Sequence, residues 1–188
     1  MEKPGNMILA FTRWLLLLPL NIGMLVVAYI LAPILPLFAS KDGWLPRRLW
    51  WFQTPDNPLD GDYGFLTEHA PYKGTGLSWW QKYINRMFWM WRNPKMGFGM
   101  TVMAFTPREP YIVIRLGGSK PLNGDMSEGW YFVTVTNPDG KTAWQFFLVH
   151  WWTPTAFAKV NMGWKLWSAP AVCQYVFAPF KLWRNLGG

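Results

Sequence analysis

Residues 14–38, WLLLLPLNIGMLVVAYILAPILPLF, run for 25 positions without an Asp, Glu, Lys, Arg or His. As a helix, such a stretch rises roughly 37 Å at about 1.5 Å per residue. The hydrocarbon core of a bilayer is about 30 Å thick, so the run can span it with some tilt. After Ala39 a charge, a Gly or a Pro interrupts every few residues. The chain therefore reads as an N-terminal anchor followed by what it anchors.

The prolines in the run leave its helical limits open. Proline is tolerated in a first helical turn and disrupts an interior. With Pro19 in the first turn, the regular helix runs from near Leu18 to near Ala32, short for a crossing. With Pro19 as a kink, it begins near Met7 and crosses comfortably, because neighbours can satisfy the freed carbonyl. A re-entrant segment is the third arrangement, and a single crossing is the expectation. A basic start before an apolar run also suits a signal peptide, but the run exceeds the 7 to 15 residues of a cleaved core. The one candidate cleavage point, before Ser40, places Leu37 where a small residue is preferred. A retained anchor is expected. Lys41, Arg47 and Arg48 on one flank outnumber Lys3 and Arg13 on the other, which orients the following domain to the cytoplasm.

Fifteen of the 188 residues are Trp, with 13 Phe and 7 Tyr. Tryptophan suits places where one side of the ring is apolar and the other wet, as at a membrane interface; a Trp-rich core is the plainer source. Many of these Trp lie within three residues of a Lys or Arg, among them Trp14, Trp50, Trp51, Trp91, Trp164 and Trp183. The 18 basic and 10 acidic residues leave +8, a balance that fits anionic lipid headgroups or nucleic acid. The basic residues are dispersed, and beside an anchor, lipid is the simpler partner. The single Cys173 excludes an internal disulfide and any CxxC metal site.

Residues 40–51, SKDGWLPRRLWW, form a collar in which Trp44, Trp50 and Trp51 can sit at headgroup depth while Arg47 and Arg48 meet phosphates. An ordinary juxtamembrane turn is the alternative. Residues 52–76 read as a long irregular loop dense in Pro, Gly, Asp and Asn. Asp56, Asp60, Asp62, Glu68 and His69 are its candidate metal ligands, and the three aspartates offer hard oxygens for calcium or magnesium. They lack the EF-hand spacing, and Glu68 beside His69 lacks the second histidine of a zinc HExxH helix. Turn capping and pairing with Arg48, Arg86 or Arg92 is the competing role.

Residues 77–92 read as a helix capped by Ser78 and ended at Asn93-Pro94. Trp79, Trp80, Tyr83, Met87, Met90 and Trp91 fall on one side at helical spacing, with Gln81, Lys82, Asn85, Arg86 and Trp89 on the other. A basic amphipathic helix with aromatic anchors suits the membrane interface; packing on a core with the basic face in water suits it equally. From Gly97 the period becomes two, with strand candidates at 98–105, 111–117, 129–136, 142–151 and 158–167, and a last one over 172–183 ending at Pro179. Asn137-Pro138-Asp139-Gly140 is a type I turn joining two of them. Val160, Met162, Trp164 and Leu166 should be buried and the alternate residues wet, while 144–152, apolar on both faces, should be central or covered by the helix. His150 is assigned no role. The fold class is α+β: a transmembrane helix, an aromatic amphipathic helix and a mainly antiparallel sheet. The expected divisions are 1–40, 41–76 and 77–188.

WFQTPDNPLDGDYGF at 51–65 and NRMFWMWRNPKMGFG at 85–99, with GWKLW at 163–167, resemble a family of small uncharacterised tailed-bacteriophage proteins. Those share a TPDN…DGD.G segment, an acidic-His pair and an aromatic helix ending in RNP.YGF. Met96 stands here where an aromatic is expected. The resemblance covers about 50–99 and the late strand; it implies a phage-encoded, membrane-associated protein and transfers no catalytic residues or cofactor.

The first expectation is thus a non-enzymatic protein anchored in the host inner membrane, acting through anionic lipid or a phage or host membrane protein. A virion component of a tail or portal-proximal assembly is the alternative. A metal-dependent hydrolase using the acidic loop comes third, without a nucleophile elbow, phosphate loop or zinc pattern behind it. Nucleic-acid binding through aromatics interleaved with Lys and Arg comes last.

Overall fold

The computed structural model describes residues 5–118, 127–154, 156–166 and 171–184. The expectations placed on Lys3 and Trp167, and on the side chain of Trp183, lie outside the described residues. The chain is α+β, with a long apolar N-terminal helix and a five-stranded antiparallel sheet. It divides into two compact units, one formed by Met1–Leu18 with Met103–Gly188 and the other by Pro19–Val102.

Helix α1 (Met7–Leu31) runs through Pro19 without a break. Of the three arrangements open in the sequence, this is the one beginning near Met7. Asn6 sets that start, its side-chain oxygen accepting from the Leu9 N–H at 3.1 Å, an N-cap contact.

In the first unit, strands β1 (Ile112–Gly117), β2 (Gly129–Thr136), β3 (Thr142–Thr153), β4 (Ala156–Trp164) and β5 (Tyr175–Arg184) pair in sequence order, each antiparallel to the next. The Asn137–Gly140 turn closes the β2–β3 hairpin, with Gly140 at φ 79° donating to the Asn137 carbonyl. β3 is the central strand, and its Trp144, Phe147 and Val149 are buried. The helix covering it is α1: Phe11 stacks on Trp144 at 4.3 Å, and Trp14 meets Trp144 edge-on at 5.1 Å. Trp14 also donates through its indole to the Val176 carbonyl, while the Tyr175 hydroxyl donates back to the Trp14 carbonyl at 3.0 Å.

Within the sheet, two strand expectations change. β4 does not alternate cleanly, since Asn161 and Gly163 are buried while Val160 and Met162 are half-buried. The register slips between Lys159 and Asn161, and Asn161 is satisfied indoors by the Gln145 amide at 3.0 Å, as a buried polar group must be. β5 continues past Pro179 to Arg184; as an edge strand beside that slip, it can hold a residue with no N–H to give.

In the second unit, α1 from Pro19 onward packs with 3-10 turns Leu35–Phe38 and Arg47–Phe52, a π-helical turn Phe65–His69, helix α2 (Trp79–Arg92) and helix α3 (Met96–Thr101). Ala28, Ala32, Leu35, Leu45, Leu59, Phe65, Trp89 and Met90 form one buried cluster. The acidic stretch is therefore less irregular than its composition suggests, because Leu59 and Phe65 pin it to this core. The strand expected over 98–105 is instead α3, followed by a single bridge of Phe105 to Cys173. Lys95 at φ 50° turns the chain after Pro94, and Gly97 lets α3 lie against the Arg47–Phe52 turn, donating its N–H to the Gln53 carbonyl at 2.8 Å. Period two in MGFGM comes from Gly97 and Gly99 alternating with apolar residues, and close approach requires the first of them.

Candidate functional site

Every residue singled out as a metal or membrane-interface candidate falls in the second unit. The collar is built by short hydrogen bonds. Ser40 accepts from the Trp44 N–H through its hydroxyl and donates its own N–H to the Trp44 carbonyl. The Gln53 side chain then accepts from the Leu45 N–H at 2.7 Å, and the Trp50 indole donates to the Leu45 carbonyl at 2.8 Å. Trp50 is thus held by its polar edge while half of its ring stays bare, 52% exposed; Trp44 at 40% and Trp51 at 49% are similar. Arg47 and Arg48 are exposed beside them.

Helix α2 presents different sides from those the spacing suggested. Its buried residues are Asn85, Arg86, Trp89 and Met90, whereas Trp79 and Trp80 are 67% and 55% exposed. Asn85 turns inward because its amide both donates to and accepts from the Tyr72 backbone. Arg86 turns inward to Asp60, its Nε 2.7 Å from one carboxylate oxygen and an Nη 3.1 Å from the other, a bidentate pair. Its remaining donors reach the Ser40 and Lys41 carbonyls at 3.3 and 3.0 Å. Trp91 is half-buried and donates to the Tyr29 carbonyl. Of the α2 residues assigned to an interface, Trp79, Trp80 and Lys82 stand outward, while Arg86 and Trp91 serve the fold.

The loop acids do not converge. Asp60 is committed to Arg86, and Asp62 accepts from the Phe65 N–H at 2.7 Å. Glu68 lies 3.4 Å from His69, both on the surface, and Asp56 is exposed. Among the described residues, no group of three or more His, Cys, Asp or Glu is placed to hold a metal. Removing one partner of a hydrogen-bonded ion pair leaves the other charge uncompensated. Asp60→Asn should therefore cost about 2 kcal/mol, below the range for fully buried pairs because the Asp60 side chain is 39% exposed. Urea unfolding checks this, and a midpoint equal to wild type would contradict it.

A cleft of about 410 Å³ opens beside α2, lined by Leu37, Lys41, Trp79, Lys82, Tyr83 and Arg86 among others. Sequence reading counted Lys41 only as a flanking charge and placed Tyr83 on an apolar face. Only the fold brings Lys41 next to Lys82. In the sheet unit, Cys173 is buried and its thiol is pushed up to about 11, so it stays protonated at neutral pH and is no nucleophile.

No curated protein and no solved structure matches the chain. A family profile does match it, over residues 6–185. That span is nearly the whole sequence and includes both units, and the chain accordingly belongs to the family of unknown function DUF7338.

Proposed function

We propose that this chain is a non-enzymatic, membrane-anchored phage protein that acts at the host inner membrane through lipid and protein contacts. One observation carries the reading. Helix α1 is long and apolar enough to span a membrane, yet only 17% of its most apolar 18-residue window is buried. The core helix of a soluble protein is mostly covered; here Ile8, Leu16 and Ile30 are 80%, 74% and 65% exposed. Bare apolar surface on this scale calls for a lipid or protein cover. The likeness of residues 50–99 to tailed-phage proteins supports the phage origin, and Lys41, Arg47 and Arg48 support a cytoplasmic domain.

Cysteines placed at Glu2 and Asp42 test the single crossing: an impermeant reagent should label one of them from each side of the membrane, and labelling of both from the same side overturns it.

Membrane attachment itself is tested by alkaline carbonate washing of the full chain, which should stay with the membranes; a soluble chain ends the proposal. Leu16→Lys changes a bare position and should leave the fold intact. It should weaken partitioning on the order of a hundredfold, as a lysine near the middle of an apolar helix does. Mass spectrometry of purified particles should lack the chain, since its presence there would favour the virion alternative.

A further inference from the structure

We propose that the cleft beside α2 is a binding site for the phosphate-bearing headgroup of an anionic phospholipid. The inference rests on the membrane attachment proposed above and adds to it a defined site with defined chemistry. Lys41 and Lys82 line the cleft, both are exposed, and neither forms an ion pair among the described residues. Arg86 holds them in place rather than adding free charge. Its guanidinium is paired to Asp60 and also donates to the carbonyls of Ser40 and Lys41, which fixes the Lys41 turn against α2. One helical turn earlier on the same helix, Lys82 stands over the same opening. Two unpaired lysines thus line one space with no carboxylate among its lining residues, which suits an anion.

The remaining walls say which anion. Trp79 and Tyr83 stack on one another at 5.7 Å and form an amphipathic side, and the Tyr83 hydroxyl is tethered to the Pro33 carbonyl at 2.6 Å, so the ring is fixed. Leu37 lines the cleft and is 57% exposed, as is its neighbour Phe38. A free phosphate has no use for bare leucine and phenylalanine at its site. A phosphodiester carrying acyl chains satisfies both, with its charge between the lysines and its chains along Leu37 and Phe38. Basic pockets beside membrane segments bind anionic headgroups in this way.

The test uses the full chain in nanodiscs of dioleoylphosphatidylcholine with increasing dioleoylphosphatidylglycerol, and native mass spectrometry counts the retained lipid. Wild type should retain phosphatidylglycerol selectively, and K41Q/K82Q should bind it roughly thirtyfold more weakly, about fivefold for each surface lysine. K73Q/R92Q removes the same charge from exposed positions outside the cleft and should match wild type. Equal weakening by both double variants overturns the site in favour of diffuse attraction, and equal retention by K41Q/K82Q and wild type overturns it outright. Inorganic phosphate displacing the lipid from detergent-solubilised chain at micromolar concentration overturns the lipid as its ligand. Loss of phosphatidylglycerol with K41Q/K82Q still held through a carbonate wash keeps the two proposals separate, and a wild-type chain released by that wash sinks the attachment first.

Discussion

Gly97→Ala should destabilise the helical unit by about 3 kcal/mol or more, large against the 5 to 15 kcal/mol that holds a typical domain folded. A Cβ at this position would stand 2.0 Å from the Trp50 carbonyl oxygen and 2.9 Å from that of Gln53. Both obstacles are backbone, so no rotamer change relieves the contact. α3 would have to lift from the Arg47–Phe52 turn, losing the Gly97 N–H bond to Gln53 and the edge contact of Trp51 with Phe98 at 5.4 Å. Trp50 and Trp51 of the collar lie in that turn, so their order should loosen with it. Gly23→Ala in α1 is the control of opposite sign: its Cβ meets nothing within 4 Å, and the change should stabilise by about 0.5–1 kcal/mol through helix propensity. Thermal melts of both in the same detergent decide, and a Gly97→Ala midpoint at or above wild type would show that the close approach does not exist.

The same glycine marks where reading the sequence stopped short. Elements with a strong local cause were legible: the uncharged run as a helix, the Ser78 cap, the stop at Asn93-Pro94 and the Asn137–Gly140 hairpin. What failed depended on partners distant in sequence. Asn85 and Arg86 belong by composition on a wet face, and only Tyr72 and Asp60, brought in by the pinned loop, make burial affordable for them. Asn161 likewise needs Gln145 from the neighbouring strand before it can be indoors. Pro19 did not stop α1, because its missing N–H is one defect against the backbone hydrogen bonds of the turns on either side. The tryptophans divide by burial: Trp14, Trp89, Trp144 and Trp164 are buried, while Trp44, Trp50, Trp51, Trp79 and Trp80 are bare. No local signal separates the two sets. The cleft was illegible for the same reason, since Lys41 and Lys82 lie far apart along the chain and Arg86 joins their surroundings only in three dimensions.

Trp164→Ala should cost the sheet unit about 3–5 kcal/mol. Trp164 is fully buried at the end of β4, edge-on to Tyr175 at 5.8 Å and beside Phe105 at 6.5 Å. The Arg13 guanidinium lies over its ring at 5.1 Å, and its indole donates to the Met103 carbonyl at 2.8 Å. Truncation opens a cavity among groups fixed by their own bonds, such as Tyr175 through its hydroxyl to Trp14, so collapse can recover little of the lost contact. Two further substitutions separate the contributions. Trp164→Phe keeps most of the packing and loses the bond to Met103, and should cost about 1–3 kcal/mol, chiefly for the carbonyl left unpaired. Trp130→Ala, at a residue 46% exposed in β2, should cost about 1 kcal/mol or less, because solvent already covers much of that ring. The expected order of unfolding midpoints is Trp130→Ala above Trp164→Phe above Trp164→Ala. If Trp164→Ala unfolds with Trp130→Ala, the first turns of α1 are not seated on the sheet around Trp164, and the half of the helix ascribed to that unit must be packed elsewhere.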